Sequence, residues 1–380
     1  MKLHFLAGAL LTSALLSGCG LWGSTPENQP AELQDIDATL KVKTLWDHDV
    51  GSSDADDPTP LMPAVSEKEV FAATNEGSVV AYNRESGKQL WEKDLEARIS
   101  GGVGYNGDLI AVATLDGQLF ALDAATGEVR WKREVPTEVL APPQGSPSLI
   151  VVQFIDGSLV AYSATDGSEV WSYDSSAPAL TLRGTASPLV FNNATIANFS
   201  SGKIALLSND TGSVIWEKRL SMPDGRSELD RMVDAMGRPA FADNVLYTAT
   251  YQGTITAMES SNGRVLWSKP FSSAHGVAVD DTAVYGVSDE GDVVAFDRRS
   301  GAVLWQQNAL KYRSLGTPVV WGDVLAVSDF EGYVHVLSRF DGRFVNRIHV
   351  DSDGIAGDMQ SAGQSLYILS NSGRLEALGY

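Results

Sequence analysis

The stretch LDGQLFALDAATGEVRW, from Leu115 to Trp131, contains a turn, a strand, a second turn and a second strand. Asp116-Gly117 is typical of a tight hairpin turn that needs a positive φ. Gln118–Asp123, with four apolar residues between two polar ones, is expected to form a strand. Gly127 ends the second turn, and the strand that follows carries Trp131. The stretch therefore predicts one half of a small antiparallel sheet.

The same frame recurs along the chain at a fixed spacing, with one Gly 14 residues and a second Gly 4 residues before a Trp. Six copies end at Trp91, Trp131, Trp171, Trp216, Trp267 and Trp305. A seventh copy has Asn346 in the Trp position, and an eighth begins at Gly373 and stops at Tyr380. Two short strands upstream of each first Gly complete four strands in about 40 residues, the size of a propeller blade.

Residues 41–49, which contain Trp46, supply the last strand that the eighth copy lacks. The sequence predicts an all-β, eight-bladed β-propeller with four-stranded antiparallel blades over residues 41–380. The ring closes by pairing of the N-terminal strand with the C-terminal blade, which leaves no unpaired end. Because the seven Trp residues occupy one blade position, we expect them to pack between blades. On this argument Asn346 makes blade seven the weakest.

The N-terminus predicts export and lipidation. Lys2 precedes a short apolar run, and Leu16-Ser17-Gly18-Cys19 resembles a bacterial lipobox around the single cysteine of the chain. Residues 1–18 are therefore expected to be a lipoprotein signal peptide. Residues 19–40, rich in Pro, Glu and Gln, are expected to be a lipidated cysteine and a flexible tether. Gly20, in place of an Asp retention signal, favours the periplasmic face of the outer membrane.

Charge and composition exclude several kinds of partner and site. The net charge of -20 disfavours nucleic-acid binding. One cysteine, and histidines that form no metal-binding motif, predict no metal site and no cofactor. Asp54, Asp56 and Asp57 lack the pattern of a calcium loop, so a solvated acidic loop is expected there. No catalytic residues are predicted.

Two neighbouring connections between blades, residues 174–187 and 219–238, are longer than most of the others. Equivalent connections of consecutive blades lie side by side, so these two are expected to form one surface. The candidate partner-binding residues are Leu180, Leu182 and Arg183 in the first connection, and Asp230, Arg231 and Asp234 in the second. Apolar side chains flanked by Arg and carboxylates suit a protein interface.

Ala121 to Trp131 resembles the tryptophan-docking repeat of quinoprotein-type propellers. With the lipobox, the segment Leu180 to Gly184 and the segment Glu228 to Arg231, the chain resembles the BamB family, lipoprotein subunits of the outer-membrane β-barrel assembly machine. The resemblance implies a non-enzymatic scaffold that binds the periplasmic domains of BamA and assists nascent barrel proteins. It assigns the docking to Leu180, Leu182, Arg183 and Asp234. Met236 stands where the family has a second acid, which puts that acid's role in doubt.

Two other functions stay open. A quinone-dependent dehydrogenase would share the propeller, but such enzymes usually carry a vicinal cysteine pair and a calcium-binding acid cluster, and this chain has neither motif. A ligand-binding propeller would need aromatic residues outside the blade-packing positions. Trp321 is the obvious Trp candidate in the ring.

Overall fold

The computed structural model describes residues 28–51, 60–175, 180–182, 185–222, 226–227 and 232–380. In these residues the strands form eight four-stranded antiparallel sheets. The predicted all-β, eight-bladed propeller is therefore confirmed. None of the described segments forms a helix long and apolar enough to span a bilayer.

Each blade uses four strands in chain order from the axis outward, except the last blade. Blade one contains β2 (Ala64–Val65), β3 (Glu69–Ala73), β4 (Ser78–Asn83) and β5 (Gln89–Asp94). Blade two contains β6 (Ile99–Tyr105), β7 (Leu109–Thr114), β8 (Gln118–Asp123) and β9 (Val129–Glu134). Blade three contains β10 (Gln144–Gly145), β11 (Leu149–Gln153), β12 (Leu159–Ser163) and β13 (Glu169–Tyr173), and blade four contains β14 (Leu189–Val190), β15 (Ala194–Phe199), β16 (Lys203–Ser208) and β17 (Val214–Arg219). Blade five contains β18 (Ala240–Ala242), β19 (Val245–Ala249), β20 (Thr254–Glu259) and β21 (Val265–Pro270). Blade six contains β22 (Ala278–Val279), β23 (Ala283–Val287), β24 (Val293–Asp297) and β25 (Val303–Gln307). Blade seven contains β26 (Val319–Trp321), β27 (Val324–Ser328), β28 (Tyr333–Ser338) and β29 (Phe344–His349). Blade eight contains β30 (Gln360–Ala362), β31 (Ser365–Leu369), β32 (Arg374–Gly379) and, from the N-terminus, β1 (Lys43–Asp49).

Blade eight closes the ring as the sequence predicts. Its outermost strand β1 pairs antiparallel with β32, with Trp46 opposite Ala377. Its innermost strand β30 contacts β2 of blade one. Because every blade is an antiparallel meander, all connections from an outermost strand to the next innermost strand lie on one face of the disc, called here the connection face.

The docking tryptophans join each blade to the next. Their indole Nε1 groups donate hydrogen bonds of 2.7–3.0 Å to the carbonyl three residues before the second repeat Gly of the following blade. That Gly lies against the indole ring, and a Cβ added to it would come closer than 3.0 Å to the ring atoms in all seven joints. The same glycines have φ between +67° and +73°. The fixed Gly-to-Trp spacing of the sequence is therefore the spacing of a contact between neighbouring blades.

The joint between blades seven and eight is built differently. Blade eight has no turn between its third and fourth strands, because β32 is C-terminal and β1 is N-terminal. A Trp on β29 would have no glycine turn to contact. Asn346 instead donates a 2.6 Å hydrogen bond to the carbonyl of Leu40, three residues before β1 begins. Asn346 therefore has a partner that fits the interrupted turn, and its effect on the stability of blade seven stays a prediction.

Residues 31–42 form a strap along blade seven. Ala31 N–H donates to the Lys311 carbonyl at 2.9 Å, and Thr39 and Leu40 N–H donate to the Val345 carbonyl at 3.0 and 3.2 Å. Leu40 and Val42 pack on the cluster that contains Val345. The sequence predicted a flexible tether up to residue 40. The described part of that segment is instead bound to the propeller, because its aliphatic side chains pack on the apolar surface of blade seven.

Two basic side chains hold the strap, Arg313, which is buried, and Arg347, which is half-buried. Arg313 donates to Asp329 at 2.7 Å, to Glu331 and to the strap carbonyl of Ala31 at 3.0 Å. Arg347 donates from Nη1 to the Gln34 carbonyl at 2.9 Å and from Nε to His335 Nδ1 at 3.1 Å. These bonds link the strap to a buried polar cluster of blade seven, called here the strap clamp.

Candidate functional site

The two long connections meet, as the sequence predicts for neighbouring blades. The backbone N–H of Leu182 in the first connection donates a hydrogen bond to a carboxylate oxygen of Asp234 in the second. The first connection is also held from the blade-three side, where Thr185 Oγ1 accepts from Ala141 N–H at 3.2 Å and Ser187 donates to the Pro142 carbonyl at 3.2 Å. The described parts of both connections therefore lie on one continuous area of the connection face.

Asp234 is placed inside this area and not on its surface. The residue is fully buried, and its carbonyl accepts a 2.8 Å hydrogen bond from Tyr251 N–H of blade five. Burial raises the pKa of the Asp234 carboxyl, and the hydrogen bond from Leu182 partly opposes that rise. Within the described residues its second oxygen has no hydrogen-bond partner. Asp234 is thus positioned to hold Leu182 in place and not to contact a partner directly.

The apolar candidates differ in exposure. Leu180 is 41% exposed and Leu182 is half-buried. Met232 and Val233, beside Asp234, are buried and anchor the end of the second connection. The burial of Met232 could not be predicted from the sequence, because it depends on contacts formed only in the folded ring.

Three candidate residues lie outside the described residues. These are Arg183 in the first connection, and Asp230 and Arg231 in the second. The same holds for Cys19 and for the acidic residues Asp54, Asp56 and Asp57. Their predicted roles stay predictions.

Replacing Asp234 with Asn is expected to keep the bond to Leu182, because the amide oxygen also accepts, while removing a buried charge. A raised pKa means that the folded state binds the proton more tightly than the unfolded state, so this carboxyl lowers stability as pH rises above about 4. Asp234→Asn should therefore unfold at a higher urea concentration than the wild type at pH 7, with the difference shrinking toward pH 4. Asp234→Ala, which leaves the Leu182 N–H unpaired, should lose about 1–3 kcal/mol. Equal urea midpoints for the wild type and the Asn variant at both pH values would contradict this account.

Met236 lies at the axis of the ring. It lines a cavity of about 180 Å³ at the channel mouth, together with Arg238, His275 and Asp358. Burial lowers the pKa of Arg238 and of His275, and the charge of Asp358 opposes both shifts. The position where the resemblance implied a second acid therefore faces the channel, away from the Leu182 to Asp234 contact.

The alternative binding candidate Trp321 does not offer a ring to a ligand. It is fully buried and packs edge-on against Tyr380 at 5.0 Å between ring centroids. Across the described ranges, no group of three or more His, Cys, Asp or Glu residues is arranged to hold a metal ion. Trp321 is therefore excluded as the candidate aromatic residue of a ligand-binding propeller.

Comparison with known proteins gives the same assignment along the whole ring. A family model described as outer membrane protein assembly factor BamB, PQQ_2, matches residues 34–104, 75–307 and 289–379. The outer membrane protein assembly factor BamB of Pseudomonas aeruginosa is 48% identical over 370 residues, covering 97% of both chains. The protein of the same name from Escherichia coli K12 is 30% identical over 384 residues, covering 98% of both chains.

Solved structures agree with the sequence comparison. The crystal structure of BamB from Moraxella catarrhalis superposes with a TM-score of 0.82 at 30% identity, covering 90% of this chain and 100% of that chain. The quinohemoprotein alcohol dehydrogenase of Comamonas testosteroni superposes with a TM-score of 0.70 at 14% identity, covering 89% of this chain and 76% of that chain, which indicates a shared fold alone. By its repeat, its ring and these relatives, the chain belongs to the BamB family of outer membrane protein assembly factors.

Proposed function

We propose that the protein is a non-enzymatic scaffold of the outer-membrane protein assembly complex. In this role it binds the periplasmic domains of BamA through the two long connections and assists the folding and insertion of β-barrel proteins. The observation that carries the proposal is the contact between Leu182 and Asp234, which joins the two connections into one surface. Family membership supports the assembly role, since its named members are assembly factors. No nucleic acid, metal or cofactor is part of the proposal.

The exposed side chains of the surface suit a protein partner. Leu180 offers an apolar contact at the rim, and a rigid propeller beneath it lowers the entropy lost on binding. Arg183 is proposed to add a bidentate donor, with Asp230 and Arg231 adding charges of both signs. Asp234 is proposed to act by positioning Leu182, because it is buried.

The lipid anchor fits the same arrangement. We propose that Cys19 is lipidated and holds the protein on the periplasmic face of the outer membrane. Ala31 is bound to Lys311, which lies in the connection from β25 to β26, so the strap begins on the connection face. Residues 19–31 span at most about 47 Å when extended. The anchor would therefore keep the connection face, with its two long connections, close to the membrane.

The test is a pull-down from detergent-solubilised membranes with the full lipoprotein. Wild type is expected to retain a barrel protein with periplasmic domains, and the double variant Leu182→Ala/Arg183→Ala is expected to retain at least tenfold less. The control is Leu90→Ala, an exposed leucine on β5 of blade one and away from the two long connections, which should bind like wild type. If the double variant is folded by circular dichroism and still binds like wild type, the proposed surface is wrong.

A further inference from the structure

The innermost strands of the blades enclose a channel along the axis of the ring, called here the axial channel. It has two chambers. The cavity of about 180 Å³ beside Met236 forms the chamber at the connection face, and a cavity of about 650 Å³ continues from it along the axis. The two cavities share five lining residues, which mark the boundary between the chambers: Met62, Arg238, Gly276, Thr317 and Asp358.

The larger chamber is mainly apolar. Aliphatic residues of the innermost strands β14, β18, β22 and β26 form most of its wall. Phe191 and Phe241 add two aromatic rings, which meet edge to face at 4.9 Å between centroids. Small-molecule sites are typically concave, mostly apolar surfaces with a few polar groups that orient the ligand. The larger chamber has the apolar part of such a site.

The boundary between the chambers supplies the polar part, as one positive and one negative charge. Among the described residues that line the channel, the titratable ones are Arg238, His275 and Asp358. Burial lowers the pKa of His275, so its imidazole is neutral at pH 7. The Arg238 guanidinium stays charged at this pH although burial lowers its pKa. The fixed charges that face the channel are therefore those of Arg238 and Asp358.

Neither of these charges is neutralised by a neighbouring group. Arg238 reaches from blade five to blade three, where its Nη2 donates a long hydrogen bond of 3.4 Å to Gln144 Oε1. A guanidinium has five N–H donors, so most of its bonding capacity is left over. Over the described ranges Arg238 and Asp358 form no ion pair, and the Asp358 carboxylate accepts no hydrogen bond. Partly buried charges without partners favour a ligand that brings the complementary groups.

We propose that the axial channel binds a zwitterionic amino acid with an apolar side chain. The ligand carboxylate binds the guanidinium of Arg238, a pairing that can be bidentate. The ligand ammonium binds the carboxylate of Asp358, and the side chain enters the larger chamber. A simple anion would be repelled by Asp358 and a simple cation by Arg238, so the two charges together select a ligand that carries both. This site does not depend on the assembly role proposed above.

The test is isothermal titration calorimetry of the full lipoprotein in detergent with three ligands that share a phenyl ring. L-Phenylalanine carries both charges, 3-phenylpropanoate lacks the ammonium and 2-phenylethylamine lacks the carboxylate. Wild type is expected to bind L-phenylalanine at least tenfold more tightly than either analogue. L-Serine, which has no apolar side chain, should also bind at least tenfold more weakly.

Two variants assign each charge of the ligand to its residue. Arg238→Gln should bind L-phenylalanine and 2-phenylethylamine within twofold of each other, because the ligand carboxylate no longer has a partner. Asp358→Asn should do the same for L-phenylalanine and 3-phenylpropanoate. The matched controls Arg299→Gln and Asp323→Asn make the same changes at exposed residues outside the channel and should bind like wild type.

Several results would overturn the inference. Absence of L-phenylalanine binding to wild type at millimolar concentration would exclude an amino-acid site. Equal affinities of wild type for the three phenyl ligands would indicate apolar adhesion without recognition of charge. If 3-phenylpropanoate binds wild type as tightly as L-phenylalanine, the channel takes simple anions instead. The ligand series needs wild type alone, so it decides the matter even where a channel variant fails to fold.

Discussion

Replacing Trp216 with Ala is expected to lower the free energy of unfolding by about 3–5 kcal/mol, the usual cost of removing a buried large aromatic side chain. The indole is buried between blades four and five, and its Nε1 donates to the Ser260 carbonyl at 2.8 Å. The loss combines the apolar contact, the cavity that remains and a partly buried carbonyl without its donor. Urea unfolding followed by far-ultraviolet circular dichroism measures it, since the backbone of the strands dominates that signal.

The glycine on the other side of this joint provides an internal control. Gly263 has φ +67°, and a Cβ added to it would lie 2.8 Å from the Trp216 ring. Gly363 has φ +63°, and nothing lies within 4 Å of its added Cβ. Both Gly→Ala changes place a Cβ on a left-handed backbone, which lowers the free energy of unfolding by about 1 kcal/mol. Only Gly263→Ala also displaces the indole. We expect Gly263→Ala to be clearly the more destabilising, and equal urea midpoints would show that the indole contact contributes nothing.

The repeat could be predicted from the sequence because its chemistry is local. Gly117 and Gly127 are needed for positive φ in turns, and Trp131 follows at a distance set by one strand. Each signal lies within 15 residues of the others and recurs around the ring. The closing strand was also predictable, since the same frame requires a partner for the last, truncated copy.

The strap could not be predicted in the same way. Its aliphatic residues Leu33, Leu40 and Val42 stand among Asp, Glu and Gln, a composition that is typical of linkers. The groups that bind it, Lys311, Arg313 and Arg347, are about 280–310 residues away in the chain. The hydrogen bond of Asn346 could not be predicted for the same reason, because its partner carbonyl belongs to the strap.

The candidate surface was predicted in outline and not in detail. Connection lengths locate it, because longer connections on a rigid ring must lie on the face. Burial assigns the individual roles, and it places Asp234 beneath the surface and Leu180 on it. From the sequence, the carboxylate of Asp234 in a long connection is expected to be exposed. Its burial depends on the backbone N–H of Leu182, which donates to it from 52 residues away in the chain.

Replacing Arg313 with Ala is expected to cost about 3–5 kcal/mol and to release the strap. The change leaves the fully buried Asp329 carboxylate without its guanidinium, and removing one partner of a buried ion pair is strongly destabilising. It also removes the donor to the Ala31 carbonyl. Lys311→Ala is the matched control two residues away, because its pairs with Glu290 and Asp292 lie at the surface. We expect the urea midpoint of the control to match the wild type and its strap to stay protected from protease.

The strap clamp should also make the strap sensitive to acid, through Asp329 and His335. Arg347 can only donate, so His335 Nδ1 accepts from it and Nε2 carries the hydrogen that donates to Asp329 at 3.0 Å. Burial lowers the pKa of His335, against the opposing pull of Asp329. For Asp329, burial raises the pKa but is outweighed by bonds from His335, Tyr333 and Arg313, so its pKa is lowered. Both groups bind fewer protons in the folded state than in the unfolded state. The free energy of unfolding must therefore fall as pH drops below about 6.5, first through His335 and then through Asp329.

Hydrogen exchange of the Thr39 and Leu40 amides should show the strap opening more often at pH 5.5 than at pH 7.5. His335→Gln, which keeps a donor toward Asp329 but cannot be protonated, should remove most of that difference, and an unchanged pH dependence in this variant would exclude His335 as its source.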